Sequence, residues 1–229
     1  MSTGPHVVVF LHGMGASPQS WSHQVDHLST GFTGLTPQVP GLGASDPPFS
    51  VAASAAGVRD ILDEHGVERA HLCGLSLGAM VATRFAIDHP DRVASLVLSG
   101  GQVRPNPTLM RVQAAVMRLL PQRIVAPGMT KSTLMTVLRA VAAVDFRSEL
   151  ATITAPTLVL CGARDFANLP AARALAATIP DAEIRVIPRA GHELNVETPE
   201  RFSAELNAFH ARFRDDGADD ATSEPDEHA

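Results

Sequence analysis

With 229 residues, 45% of them apolar and 18% charged, the chain has material for one α/β domain with a small insert and is too apolar to be disordered. No apolar run approaches the ~18 residues of a membrane-spanning helix. The formal charge of −6 comes from the last fifteen residues, and the near-neutral remainder carries no electrostatic footprint for nucleic acid.

The amino terminus has no basic stretch before its first apolar run, which argues against a signal peptide and for a cytoplasmic location. Val7, Val8, Val9, Phe10 and Leu11 form a continuous β-branched and aromatic run, the pattern of a strand buried on both faces. Ser17 and Pro18 open a helix whose face uses Trp21, Val25 and Leu28. A weaker strand is predicted over 35–39, where Pro37 counts against a central position. Ser50 caps the next helix, with Val51, Val58, Ile61 and Leu62 on its apolar face and Gly66 as its stop. A short strand over 70–73 leads into a helix that ends before Pro90, and 93–98 is another strand. Residues 105–150 break the rhythm with two or three helices and no strand between them. Strands follow over 157–160 and 184–187. The last helix is capped by Thr198 with Pro199 behind it, and Phe202, Leu206, Phe209 and Phe213 share one face. Residues 215–229 hold seven acids and no Lys or Arg, and read as a disordered solubilising tail. Alternating strands and helices imply a mainly parallel sheet with helices on both faces.

The chemistry concentrates where strands end. Gly74-x-Ser76-x-Gly78 sits between a strand and a helix. A turn that tight strains the central residue, needs glycines where segments approach closely, and exposes the serine at the carboxyl edge of the sheet. A serine hydroxyl is a poor nucleophile without a base. His192 follows a strand and lies on a loop where ligand chemistry collects in open α/β sheets. His12 also follows a strand and rivals it, while the remaining histidines read as surface residues. An orienting carboxylate is also needed. Asp165 follows the strand over 157–160, whereas its rivals Asp145 and Asp181 do not directly follow one. Donors for a developing oxyanion would be backbone N–H groups of Leu77, just after the serine, and of Met14 in the loop after the first strand. Cys73 and Cys161, the two cysteines, have neither framework nor metal spacing and read as buried thiols.

At these residues the chain resembles the α/β-hydrolase superfamily, in its small-cap, esterase-like branch. The matching stretches are 12–15, 41–46, 74–78, 162–165, and Gly191-His192 with 198–202, in the family's order. The resemblance implies Ser76 as nucleophile, Asp165 as acid, His192 as base, Met14 and Leu77 as oxyanion donors, and no metal or organic cofactor. Family members commonly carry two extra strands before the one ending in His-Gly; only six residues precede that strand here, so a sheet of about six strands is expected. The expected organisation is a core of 1–104 and 133–214, a short helical cap over 105–132 and the tail over 215–229.

The expected function is hydrolysis of small carboxylic esters, lactones or thioesters through an acyl-enzyme. The same triad would also serve a lyase of the menaquinone-biosynthesis type, which the segment 186–192 resembles, or a carbon–carbon hydrolase; a non-catalytic binding protein is the third reading. The substrate would be a partly apolar small molecule. Met110, Met117, Met129 and Met135 could roof a pocket or fill the cap's own core. Arg104, Arg111, Arg118 and Arg123 could meet a carboxylate or form a solvated face. Asp46 reads as a loop tie, and exposed Leu and Met on a small cap would favour a homodimer.

Overall fold

The computed structural model describes residues 6–43, 49–121 and 130–214. Ala44, Ser45 and Asp46 of the second matching stretch, Arg123, Met129 and the acidic tail lie outside them.

Six strands form one sheet in the order β2-β1-β3-β4-β5-β6, every neighbouring pair parallel. They are β1 (His6–Leu11), β2 (Phe32–Leu35), β3 (Ala70–Leu75), β4 (Val93–Ser99), β5 (Thr157–Gly162) and β6 (Ala182–Ile187). The helices are α1 (Ser22–Asp26), α2 (Val51–Glu64), α3 (Leu77–Asp88), α4 (Pro107–Leu119), α5 (Lys131–Ala142), α6 (Leu169–Thr178), α7 (Leu194–Glu197) and α8 (Pro199–His210), all among the described residues.

Strand alternation divides the core between the two faces. On one face Val9 and Leu11 of β1, Leu72 of β3 and Val159 of β5 pack with α2, α3 and α6 through Val58, Leu62, Phe85 and Leu175. On the other, Val8 and Phe10 of β1 and Leu158 and Leu160 of β5 meet Trp21, Phe202, Leu206 and Phe209. Ser50 caps α2 as expected, its hydroxyl accepting from Ala53 N–H at 3.1 Å. Both thiols are free and buried; burial, with Asp165 nearby, pushes Cys161 up to about 11.

Three expectations need correction. The second strand is Phe32–Leu35 rather than 35–39. Pro37 lies beyond it, and Val39, outside the sheet, is buried in the main core while its N–H donates to the ring of His12 at 3.2 Å. The last strand starts at Ala182, two residues before the predicted 184; its polar Arg185 is neutralised by Glu183 and Glu205. Among the histidines read as surface residues, His71 and His210 are fully buried.

After β4, α4 and α5 form a helical hairpin over the carboxyl ends of the strands. Asn106 caps α4, accepting from Thr108 and Leu109 N–H groups at 2.9 and 3.2 Å. Thr130 caps α5 through Thr133 N–H at 3.1 Å. Leu134 and Leu138 of α5 pack with Met110, Ala114 and Met117 of α4, with Met135 and with Met14 below. Val137 of the same helix belongs to the main core. Helix α5 thus joins hairpin to core, and it straddles the expected boundary between a cap over 105–132 and a core over 133–214. Three of the four cap methionines therefore do hairpin packing, and Met110 also lines the cavity beneath.

Candidate active site

β3 runs into α3 with one residue between them. That residue, Ser76, has φ 54° and ψ −112°, a conformation that L-residues adopt at a cost of about 1–3 kcal/mol. Its N–H donates to the carbonyl of Ser99 on β4 at 2.7 Å, which anchors the turn. The flanking glycines are there for space: a Cβ on Gly74 would lie 2.5 Å from the carbonyl of Gly78, and one on Gly78 would lie 2.0 Å from the carbonyl oxygen of Leu11. Leu77 is the first residue of α3, so its N–H has no partner within the helix. Met14, in the loop after β1, faces the same space as Ser76 and Leu77.

His192 lies in the loop between β6 and α7. Its Nδ1 donates to Asp165 Oδ2 at 2.7 Å, which leaves Nε2 as the ring's acceptor. Asp165 follows β5 and is buried. Neither rival carboxylate reaches His192. Asp145 is held by Arg147 and Arg104 at the surface, and the Arg147 hydrogen bond draws its carboxyl down to about 2. Asp181 precedes β6 at the opposite sheet end and pairs with Arg212 at 3.6 Å. The rival base, His12, is fully buried. Its Nδ1 meets the carbonyl of Gly13 at 2.9 Å and its Nε2 accepts from Val39 N–H. Burial lowers its pKa, so a neutral His12 ties the Met14 loop to the segment after β2, with both nitrogens occupied.

Several groups that support the arrangement were not singled out in the sequence. Glu197 accepts from Gly191 N–H at 2.7 Å and Glu193 N–H at 3.0 Å, gripping the backbone on both sides of His192. Asn168 Nδ2 donates to both oxygens of Asp165, at 2.7 and 2.9 Å, and Gln102 holds the amide oxygen of Asn168. Gly100, at φ 60°, sits where a Cβ would come 2.8 Å from His192 Cε1. The Gly100-Gly101 pair after a strand was a legible hint; Glu197 and Asn168 gave none, because their partners lie across loops. Among the described residues, positive φ outside glycine occurs at Ser76 and Arg189 alone; one lies in the serine turn and the other three residues before His192.

These elements enclose a cavity of about 420 Å³. Ser76, Leu77, Met14 and His192 form its floor, and Leu109, Met110 and Leu138 of the hairpin form its roof. Gln102, Arg104 and Asn168 add polar edges. Arg111 and Arg118 are exposed on α4 and are not part of this lining. Among the described residues no cluster of His, Cys, Asp and Glu could hold a metal ion, and no helix is long and apolar enough to cross a membrane.

Residues 8–205 match the model of the alpha/beta hydrolase family. A Caulobacter sp. protein named as a carbamate hydrolase, RutD, is 27% identical over 239 residues, covering 88% of this chain and 89% of that one. A 2-hydroxy-6-oxononadienedioate/2-hydroxy-6-oxononatrienedioate hydrolase of Paraburkholderia phymatum is 30% identical over 251 residues, covering 90% and 87%. A solved thermophilic esterase from Thermogutta terrifontis superposes with a TM-score of 0.78 at 25% identity, covering 92% and 91%. With the match spanning most of its length and the sheet, turn and hairpin described above, the chain belongs to the alpha/beta hydrolase family.

Proposed function

We propose that the protein is a serine hydrolase that cleaves small, partly apolar carboxylic esters, lactones or thioesters through an acyl-enzyme. One observation carries this reading: Ser76 and His192 line one cavity, and the Asp165 hydrogen bond to Nδ1 leaves His192 Nε2 as a base facing it. Ser76 Oγ attacks the carbonyl carbon and its proton passes to Nε2. The N–H groups of Met14 and Leu77 stabilise the oxyanion, and Nε2 returns the proton to the leaving group as the carbonyl re-forms. Water activated by the same nitrogen then releases the acid. Asp165 holds the ring in the required tautomer and stabilises the imidazolium.

A p-nitrophenyl ester series from acetate to octanoate tests the reading. Wild type turns over, and Ser76→Ala loses roughly 10⁴-fold or more in kcat. Wild-type turnover retained by Ser76→Ala sinks the acyl-enzyme mechanism.

The Paraburkholderia relative favours a second reading. A substrate with its name holds no ester, so water would break a carbon–carbon bond beside a ketone. Arg104 on the cavity edge would meet a carboxylate of such a substrate. The lyase alternative asks for an arginine clamp in the cap, and of the arginines weighed for it Arg104 alone lines the cavity among the described residues. Lack of ester turnover, with reaction at a 6-oxo dienoic acid, would replace the first reading by the second.

A further inference from the structure

Helix α4 buries little of itself. Met110, Ala114 and Met117 face α5, while Leu109, Val112, Val116 and Leu119 remain 61%, 56%, 51% and 87% exposed. Their spacing of three and four residues makes one continuous stripe along the helix. Phe166 after β5 and Val196 on α7 are also exposed at this carboxyl-end face of the sheet. A soluble enzyme rarely leaves so many large aliphatic side chains together without a partner.

Charge says what the partner is. No Asp or Glu occurs between Asp91 and Asp145 in the sequence, whereas Arg104, Arg111, Arg118, Lys131 and Arg139 lie on or beside the two helices of the hairpin. Among the described residues no ion pair reaches Arg111, Arg118 or Arg139, all of them exposed. We infer that the α4 face docks reversibly on an anionic lipid surface, with the Leu and Val stripe entering the headgroup boundary and the arginines meeting lipid phosphates. Leu109 belongs both to the stripe and to the cavity lining, so docking sets the cavity beside the source of apolar substrates.

Two other occupants fit less well. A second copy meeting α4 with α4 would oppose two wholly basic hairpins. The acidic segment 215–229 matches the charge but offers only Ala and Pro as apolar residues, which cannot cover Leu and Val. It also starts just past Phe213, whose ring packs on His71 at the amino end of the sheet, away from the hairpin.

The test is sedimentation of the full chain with vesicles of phosphatidylcholine alone or with about one quarter phosphatidylglycerol, at low and high salt. Wild type is expected to sediment with the anionic vesicles and to be released by salt. Val116→Asp with Leu119→Asp, and separately Arg111→Glu with Arg118→Glu, each lower the partition coefficient about tenfold or more. These positions are exposed, so thermal midpoints stay at the wild-type value. Equal sedimentation of wild type and both variants overturns the inference. So does a wild type that ignores the vesicles; a dimer by light scattering that the Asp variant dissolves would then assign the stripe to a second copy. The readout is binding, so its failure is separate from any failure of the esterase reading.

Discussion

Acid should unfold this protein through two histidines that have no part in the site. His71 lies on β3 and His210 ends α8, with ring centroids 5.0 Å apart. Phe32 stacks on His210 at 4.8 Å, and His71 Nδ1 meets Ser95 Oγ at 2.8 Å. Burial, with His210 and His6 adding to the effect, pushes His71 down to about 3, and burial pushes His210 down to about 4. In the unfolded chain both return to about 6.5. Between these values the unfolded state holds the extra protons, so stability is whole above about pH 6.5 and is lost as pH falls towards the folded values. Each histidine contributes a slope approaching about 1.4 kcal/mol per pH unit. Because the two rings are coupled, on the order of 4 kcal/mol disappears between about pH 6.5 and 4.5, a large part of a typical domain's stability. Urea unfolding followed by Trp21, the single tryptophan and fully buried, measures this directly. Neither ring nitrogen of His210 has a hydrogen-bond partner among the described residues. His210→Phe therefore keeps the stack, holds its stability near neutral pH, and loses about half of the acid slope. A wild-type urea midpoint that stays constant from about pH 8 to 5, or a His210→Phe slope equal to wild type, refutes the reasoning.

Two further outcomes concern the setting of His192. Gly100→Ala puts a methyl group 2.8 Å from His192 Cε1 at a φ of 60°. The ring must shift, and ester kcat should fall by about 100-fold, with unfolding easier by about 1 kcal/mol; an unchanged kcat would show that the ring has room to spare. Glu197→Gln keeps the shape but can accept only one of the two backbone N–H bonds. We expect kcat to drop by about tenfold with KM little changed, since the loop positions the base and does not hold substrate. A KM effect of that size with kcat intact would place Glu197 in substrate binding.

What could be read from the sequence was what local sterics and strong burial dictate. Gly74 and Gly78 announce their turn because the atoms that exclude a Cβ belong to neighbouring backbone, so the pattern is carried by residue type alone. The inner strands were equally plain, since β1, β3 and β5 are largely buried and read as mainly apolar runs, with His71 the polar exception inside β3. The two edge strands were not. β2 has a single buried residue, Phe32, and β6 carries Glu183 and Arg185, which are stabilised by ion pairs that sequence does not display. Val39 looked like a strand residue because its side chain is in the core, although its N–H bonds His12 in place of a neighbouring strand. The same limit hid the histidine pair: His71 and His210 are 139 positions apart in the chain, and nothing near either residue signals that a ring will lie beneath an aromatic of another element. Asn168 and Glu197 fall on the same side of this divide. A polar side chain that serves another residue's geometry leaves no periodicity, so it becomes visible only when the loops that carry both partners are folded together.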